Sequence, residues 1–185
     1  AYGEQPDREK MLVRYILQNE FVSGCARLCE GRKDVSDAVH TYPFAEVLSR
    51  LSKTDDATMR TALVFSLGAP GCGGYDPLKA REALRQSLKS ERDIWIRLDM
   101  ARVLASLGDD AGKEVLVSAL TQKKGYFTQS EMEVGRAILP LLLLDYDFPG
   151  GFPKHAFNYE WGGLSDYFNA IRKERADTPA AGEGG

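Results

Sequence analysis

The sequence predicts an all-α fold of consecutive helical hairpins followed by an irregular, aromatic-rich C-terminal cap. Three observations carry this. Acids suited to starting helices and glycines suited to ending them punctuate the chain at short intervals. Sustained period-two alternation and Asn-Gly or Asp-Gly hairpin turns are absent. One segment also recurs. At 185 residues the chain suits one domain with a substantial core. Residues 1–176 are read as that domain, and 177–185, small and polar, as a disordered tail.

Asp7 to Glu30 is expected as an amphipathic helix with Met11, Leu12, Tyr15, Ile16, Val22, Cys25, Leu28 and Cys29 as its apolar residues. Gly24 is the point where it can break, and Gly31 closes it. Asp34 is placed to cap a second helix through Val39. After Pro43, Phe44 to Leu51 forms another, with Phe44, Val47, Leu48 and Leu51 on one side. Asp55 or Asp56 caps the next helix, through Leu67, and Gly68 ends it in a left-handed conformation. Asp76 then caps a helix beginning at Pro77, where a missing amide hydrogen costs nothing. Leu78, Ala80, Ala83, Leu84 and Leu88 supply its apolar side.

Ser90 with Asp93 resembles a capping box ahead of a helix that buries Ile94, Trp95, Leu98, Ala101, Val103, Leu104 and Leu107 and stops at Gly108. Asp109 or Asp110 starts the following helix, with Val115, Leu116, Ala119 and Leu120 inward. Thr128 with Glu131 is a second capping box, opening a helix from Gln129 to Leu144. The apolar run in that helix, Ala137 to Leu144, is broken by Pro140 and reads as buried helix. It is far below the ~20 residues that cross a bilayer, so no membrane span is expected.

Two segments can be laid over each other. One runs from Asp56 through Arg60 to Ser66-Leu67-Gly68, the other from Asp93 through Arg97 to Ser106-Leu107-Gly108. Each has an acidic start, an apolar residue followed by Arg, a small and apolar helix, and then Ser-Leu-Gly. A second helix with paired leucines follows each, Leu84 with Leu88 and Leu116 with Leu120. This pattern resembles the HEAT repeat, in particular the short bilin-lyase type, most clearly over residues 55–120. The resemblance implies an α-α superhelix, or α-solenoid, in which each hairpin buries its apolar face on its neighbours. It also implies that Arg60 and Arg97 are structural, bonding between neighbouring repeats, and not catalytic. The di-iron hydroxylases of this fold use His-Glu pairs as metal ligands; here His40 precedes Thr41 and His155 precedes Ala156.

The net charge of −3 is small, and no Lys/Arg block exceeds a pair such as Lys123-Lys124, so nucleic acid is not an expected partner. Cys25 and Cys29 sit one helical turn apart, with Cys72 elsewhere. A disulfide to Cys72 and buried free thiols both fit, whereas the Cys-x3-Cys spacing suits zinc poorly. The glycine-rich loop before Asp76 lacks a Gly-Lys-Ser/Thr ending, and a carboxylate at that helix start repels phosphate. No cofactor and no metal site are expected. The aromatic stretch from Asp145 to Ile171 reads as a cap over the last repeat, or as a partner-binding surface built on Phe157, Tyr159, Trp161 and Tyr167.

The expected function is a non-catalytic protein–protein interaction module, with an inhibitor or immunity-type protein as its narrower form. The alternative is a lyase or isomerase acting on a bound planar ligand. The chain begins at Ala1 rather than Met. Read as signal-peptide removal, this places it in an exported or periplasmic compartment, and otherwise in the cytoplasm.

Overall fold

The structure, a computed structural model, describes residues 7–69, 74–121 and 131–148, with side chains from Arg136 onward in the last segment. Among these residues the chain forms eight α-helices and no strand: α1 (Arg8–Cys29), α2 (Lys33–His40), α3 (Phe44–Leu51), α4 (Ala57–Gly68), α5 (Pro77–Ser90), α6 (Ile94–Ser106), α7 (Lys113–Leu120) and α8 (Glu131–Leu143). The all-α expectation therefore holds for them. The expected cap, the tail and the Thr128 capping position lie outside the described residues.

Aspartates start most of the long helices by accepting from amides that have no partner within the helix. Asp7 caps α1, Asp56 caps α4, Asp76 caps α5 ahead of Pro77, and Asp93 caps α6. Three expectations need correction here. Asp93 is itself the cap and accepts from Trp95 and Ile96, while the Ser90 hydroxyl donates back to the Ser87 carbonyl at the end of α5. Asp34 caps nothing: it lies in the first turn of α2 and pairs with Arg32. Likewise α7 starts after Gly112, and the Asp109 side chain accepts from the Ala111 amide in the turn before it. Gly31 and Gly108 take positive φ, +70° and +77°, as the residues that turn the chain after α1 and α6.

Gly24 and Gly68 serve packing instead of turning. Helix α1 runs unbroken through Gly24, and Gly68 is the last helical residue of α4. A Cβ on Gly24 would lie 2.6 Å from the Phe65 ring, and one on Gly68 would lie 2.6 Å from the Phe21 ring. Each ring thus rests on the other helix's glycine, and the two rings stack with centroids 5.6 Å apart. Pro140, within α8, does not end it, and the helix continues to Leu143 with Ala137, Ile138, Leu139 and Leu141 buried.

Helix α6 packs on α4 and on α8, with α5 and α7 against it as well, while α1 lies across this row and touches α4, α6 and α8. The buried side of α1 is Val13, Leu17, Phe21, Gly24 and Cys25. This corrects the apolar side expected for that helix, because Met11, Tyr15 and Val22 point outward. Leu78 of α5 is likewise exposed, with Ala80, Leu84 and Leu88 buried in its stead. Among the described residues no helix is long and apolar enough to cross a membrane.

Gly68→Ala tests the ring-on-glycine packing. The added methyl meets Phe21, which is fully buried and has no room to retreat, and approaches Val103 at 3.0 Å. Overpacking of this kind costs about 1–3 kcal/mol, and the gain of under ~1 kcal/mol in helix propensity does not offset it at a helix end. Urea unfolding should show a lower midpoint with an unchanged slope.

Candidate functional site

Helix α6 carries two charges into the interior. Asp99 and Arg102 lie one turn apart, and Arg102 Nη1 donates to Asp99 Oδ1 at 3.0 Å. Arg136 of α8 donates to the same carboxylate oxygen at 2.6 Å, and Arg102 Nη2 donates to Glu20 of α1. The Arg102 guanidinium also sits 5.5 Å from the centre of the Phe21 ring. The result is a charge-balanced network of two arginines and two carboxylates that ties α1, α6 and α8 together. Asp99 and Arg102 are nearly inaccessible, whereas Glu20 and Arg136 are partly open. Burial pushes the Glu20 carboxyl above its ordinary value, with Arg102 and Arg136 offsetting part of the shift. Burial also lowers Arg136.

A second constellation surrounds Arg60. Its Nε lies 3.1 Å from Glu91 Oε2, close enough for charge attraction but without the alignment of a hydrogen bond. Its Nη1 donates to the Thr54 and Asp55 carbonyls. Glu91 in turn accepts from the Arg92 and Asp93 amides just before α6. Arg60 therefore joins the start of the first hairpin to the start of the second. An open groove of about 690 Å³ lies over this pair, with Leu48, Ser52, Thr54, Ser87 and Arg92 among the residues around it. Neither His nor Cys lines it; it presents serine and threonine hydroxyls, the Gln86 amide, Asp55 and Arg92 beside the Arg60–Glu91 pair.

Arg97 is half-buried in α6, and no described side chain bonds its guanidinium. The segment 122–130, which follows the second hairpin, lies outside the described residues. So do Phe157, Tyr159, Trp161, Tyr167, His155 and Cys72. Cys29 is a free thiol. Cys25 is buried with Sγ 3.5 Å from the Ala62 carbonyl, and burial pushes the Cys29 thiol up, which disfavours the reactive thiolate. Among the described residues no group of three or more His, Cys, Asp or Glu side chains is arranged to hold a metal ion.

The outer surface of α1 is the third feature. Met11, Tyr15 and Val22 are 53%, 64% and 56% exposed. At 3.6 residues per turn, their spacing of four and seven places them within about 40° of one another, and the exposed Ala26 extends the line. The helix is thus apolar on two sides, one packed in the core and one open. Neither this stripe nor the buried network was anticipated from sequence. The available signal for the network was a charged pair, Asp99 and Arg102, inside an otherwise apolar helix. The signal for the stripe was more apolar residues in α1 than one face can hold.

Compared with known proteins, the chain matches no protein-family model, no curated protein and no solved structure.

Two outcomes are expected of the buried network. Asp99→Ala leaves Arg102 with Glu20 alone and takes from Arg136 the carboxylate it bonds, and should cost about 3–5 kcal/mol, read as a lowered urea midpoint. Glu20→Gln tests the titration. With its pKa raised on folding, Glu20 keeps its proton to a higher pH in the native state than in the unfolded chain. Between the ordinary Glu value and the raised one, the native state binds more protons, so stability falls as pH rises. Glu20→Gln should flatten that slope in unfolding curves taken between about pH 4 and 7.

Proposed function

We propose that the chain is a non-catalytic protein-binding module on a HEAT-like superhelical scaffold, with inhibition of another protein as its narrower role. The observation that carries this reading is the stripe of Met11, Tyr15 and Val22 along the outside of α1. Large apolar side chains scattered singly on a surface are ordinary, but an aligned set containing a half-open tyrosine is what partner-binding faces use. The core does not need them, because α1 already buries Val13, Leu17 and Phe21 fully or nearly so. The scaffold part of the reading is supported by Arg60, whose pairing with Glu91 links one hairpin to the next. Arg97 is assigned the same linking role. The groove over Arg60, with its hydroxyl groups and its matched ion pair, suits recognition of a polar surface.

Affinity capture from native extract tests the reading. The full chain should retain a protein at near-stoichiometric yield, and a Tyr15→Ser/Val22→Ser variant should lose it with thermal unfolding unchanged. No retained protein under several salt conditions would count against a binding module. Retention unaffected by the double substitution would move the interface away from α1.

A further inference from the structure

We propose that the outer face of α1 takes an acidic amphipathic helix of another protein, anchored on Met11, Tyr15 and Val22 and steered by Arg8 and Arg14. The proposal rests on the protein-binding reading above and names the chemistry of the partner. Its independent support is the sign of the charges around the stripe. Helix α1 contains two acids, and both are turned away from that face: Glu9 is 7% exposed, and Glu20 is bonded to Arg102. Lys10 is matched by Asp145 at 2.6 Å. The charged residues that flank the stripe are Arg8 and Arg14, both exposed and neither paired with a described acid. On a helical wheel Arg8 and Arg14 fall on either side of Met11, roughly 60° to each flank.

A partner helix laid along this face would set apolar side chains at i, i+4, i+7 and i+11 against the stripe, with carboxylates reaching the arginines on its rims. Opposite charges at such rims raise the association rate and exclude wrong partners. A second copy of this chain fits poorly, since it would bring a second set of arginines and no acid. A bilayer surface fits less well too. Gln18 and Asn19 are exposed between Tyr15 and Val22, where a lipid-facing helix would need a continuous apolar face. Against a protein helix, the same two amides have hydrogen-bonding partners available.

The test uses the full chain and a displayed library of helical peptides about 20 residues long. Leu is fixed at the four anchor positions, and acidic, basic and neutral residues vary between them. Selected peptides should be net acidic, bind more weakly as salt rises, and lose at least about tenfold in affinity with Tyr15→Ser. With Arg8→Glu/Arg14→Glu the preference should reverse towards basic peptides. Peptides without charge bias, or with a basic bias, overturn the proposal. Selected peptides that ignore all α1 substitutions overturn it while leaving the protein-binding reading standing elsewhere on the surface. If no peptide is enriched, the proposal is overturned, while the protein-binding reading stands or falls on the affinity capture above. A photoreactive benzoylphenylalanine at position 15 decides the remaining occupants. In the peptide-free protein, capture of residues 149–185 or of a second copy overturns the proposal. So does binding to phosphatidylserine vesicles that is tighter than to any selected peptide.

Discussion

Helix α6 is enclosed from Leu98 to Ser106, and Asp99 and Arg102 are enclosed with it. A charge inside a protein is tolerated only when opposite charge and hydrogen bonds meet it there. That requirement constrains two of the helices around α6. Arg102 needs Glu20, so α1 must lie against α6 in one rotation about its axis, and Asp99 needs Arg136, which does the same for α8. The ring-on-glycine contacts of Phe21 and Gly24 act with the Arg102–Glu20 pair to fix the rotation of α1, a helix with apolar residues on two sides. The carboxylate of Glu20 singles out the side with Val13, Leu17 and Phe21 and leaves Met11, Tyr15 and Val22 outside. The buried charges therefore supply specificity of arrangement more than net stability.

The same division separates what sequence pattern could reveal from what it could not. Local signals were legible. Asp56 and Asp76 cap helices because their neighbours' amides are within a few residues, and Phe44 to Leu51 forms one helix because its period is complete in a single stretch. Misreadings arose where the deciding partner is distant. Gly24 and Gly68 resemble a helix breaker and a helix terminator, yet each is placed by an aromatic ring from another helix. Ser90 and Asp93 have capping-box spacing, but α5 extends through Ser90 and leaves only Asp93 to start α6. In the charge network, Glu20 and Arg102 are 82 positions apart and Asp99 and Arg136 are 37 apart. Nothing near Glu20 in sequence distinguishes it from an ordinary solvated charge.

Ion pairs outside α6 join neighbouring segments over shorter spans. Arg32 bonds Asp34 in the first turn of α2 and reaches Asp56 at the cap of α4, holding Asp34 down to about 2. Arg85 of α5 lies 2.7 Å from the buried carboxylate of Asp109 after α6. With Arg60 and Glu91, these pairs place an arginine at successive junctions between helices. Arginine suits such positions because its planar fork can meet a carboxylate and a backbone carbonyl together, where lysine presents a single point of charge.

The contact between α1 and α8 sets this chain apart from a linear stack of hairpins. In a linear stack each unit touches only the next, stability is close to a sum over units, and a unit can be removed from an end at modest cost. Here Lys10 meets Asp145 across 135 positions, and α1 covers three helices of the row at once. The first helix has no full set of partners until almost all of the described chain has been made. Its burial closes long loops, an entropic cost that contacts between successive hairpins do not carry.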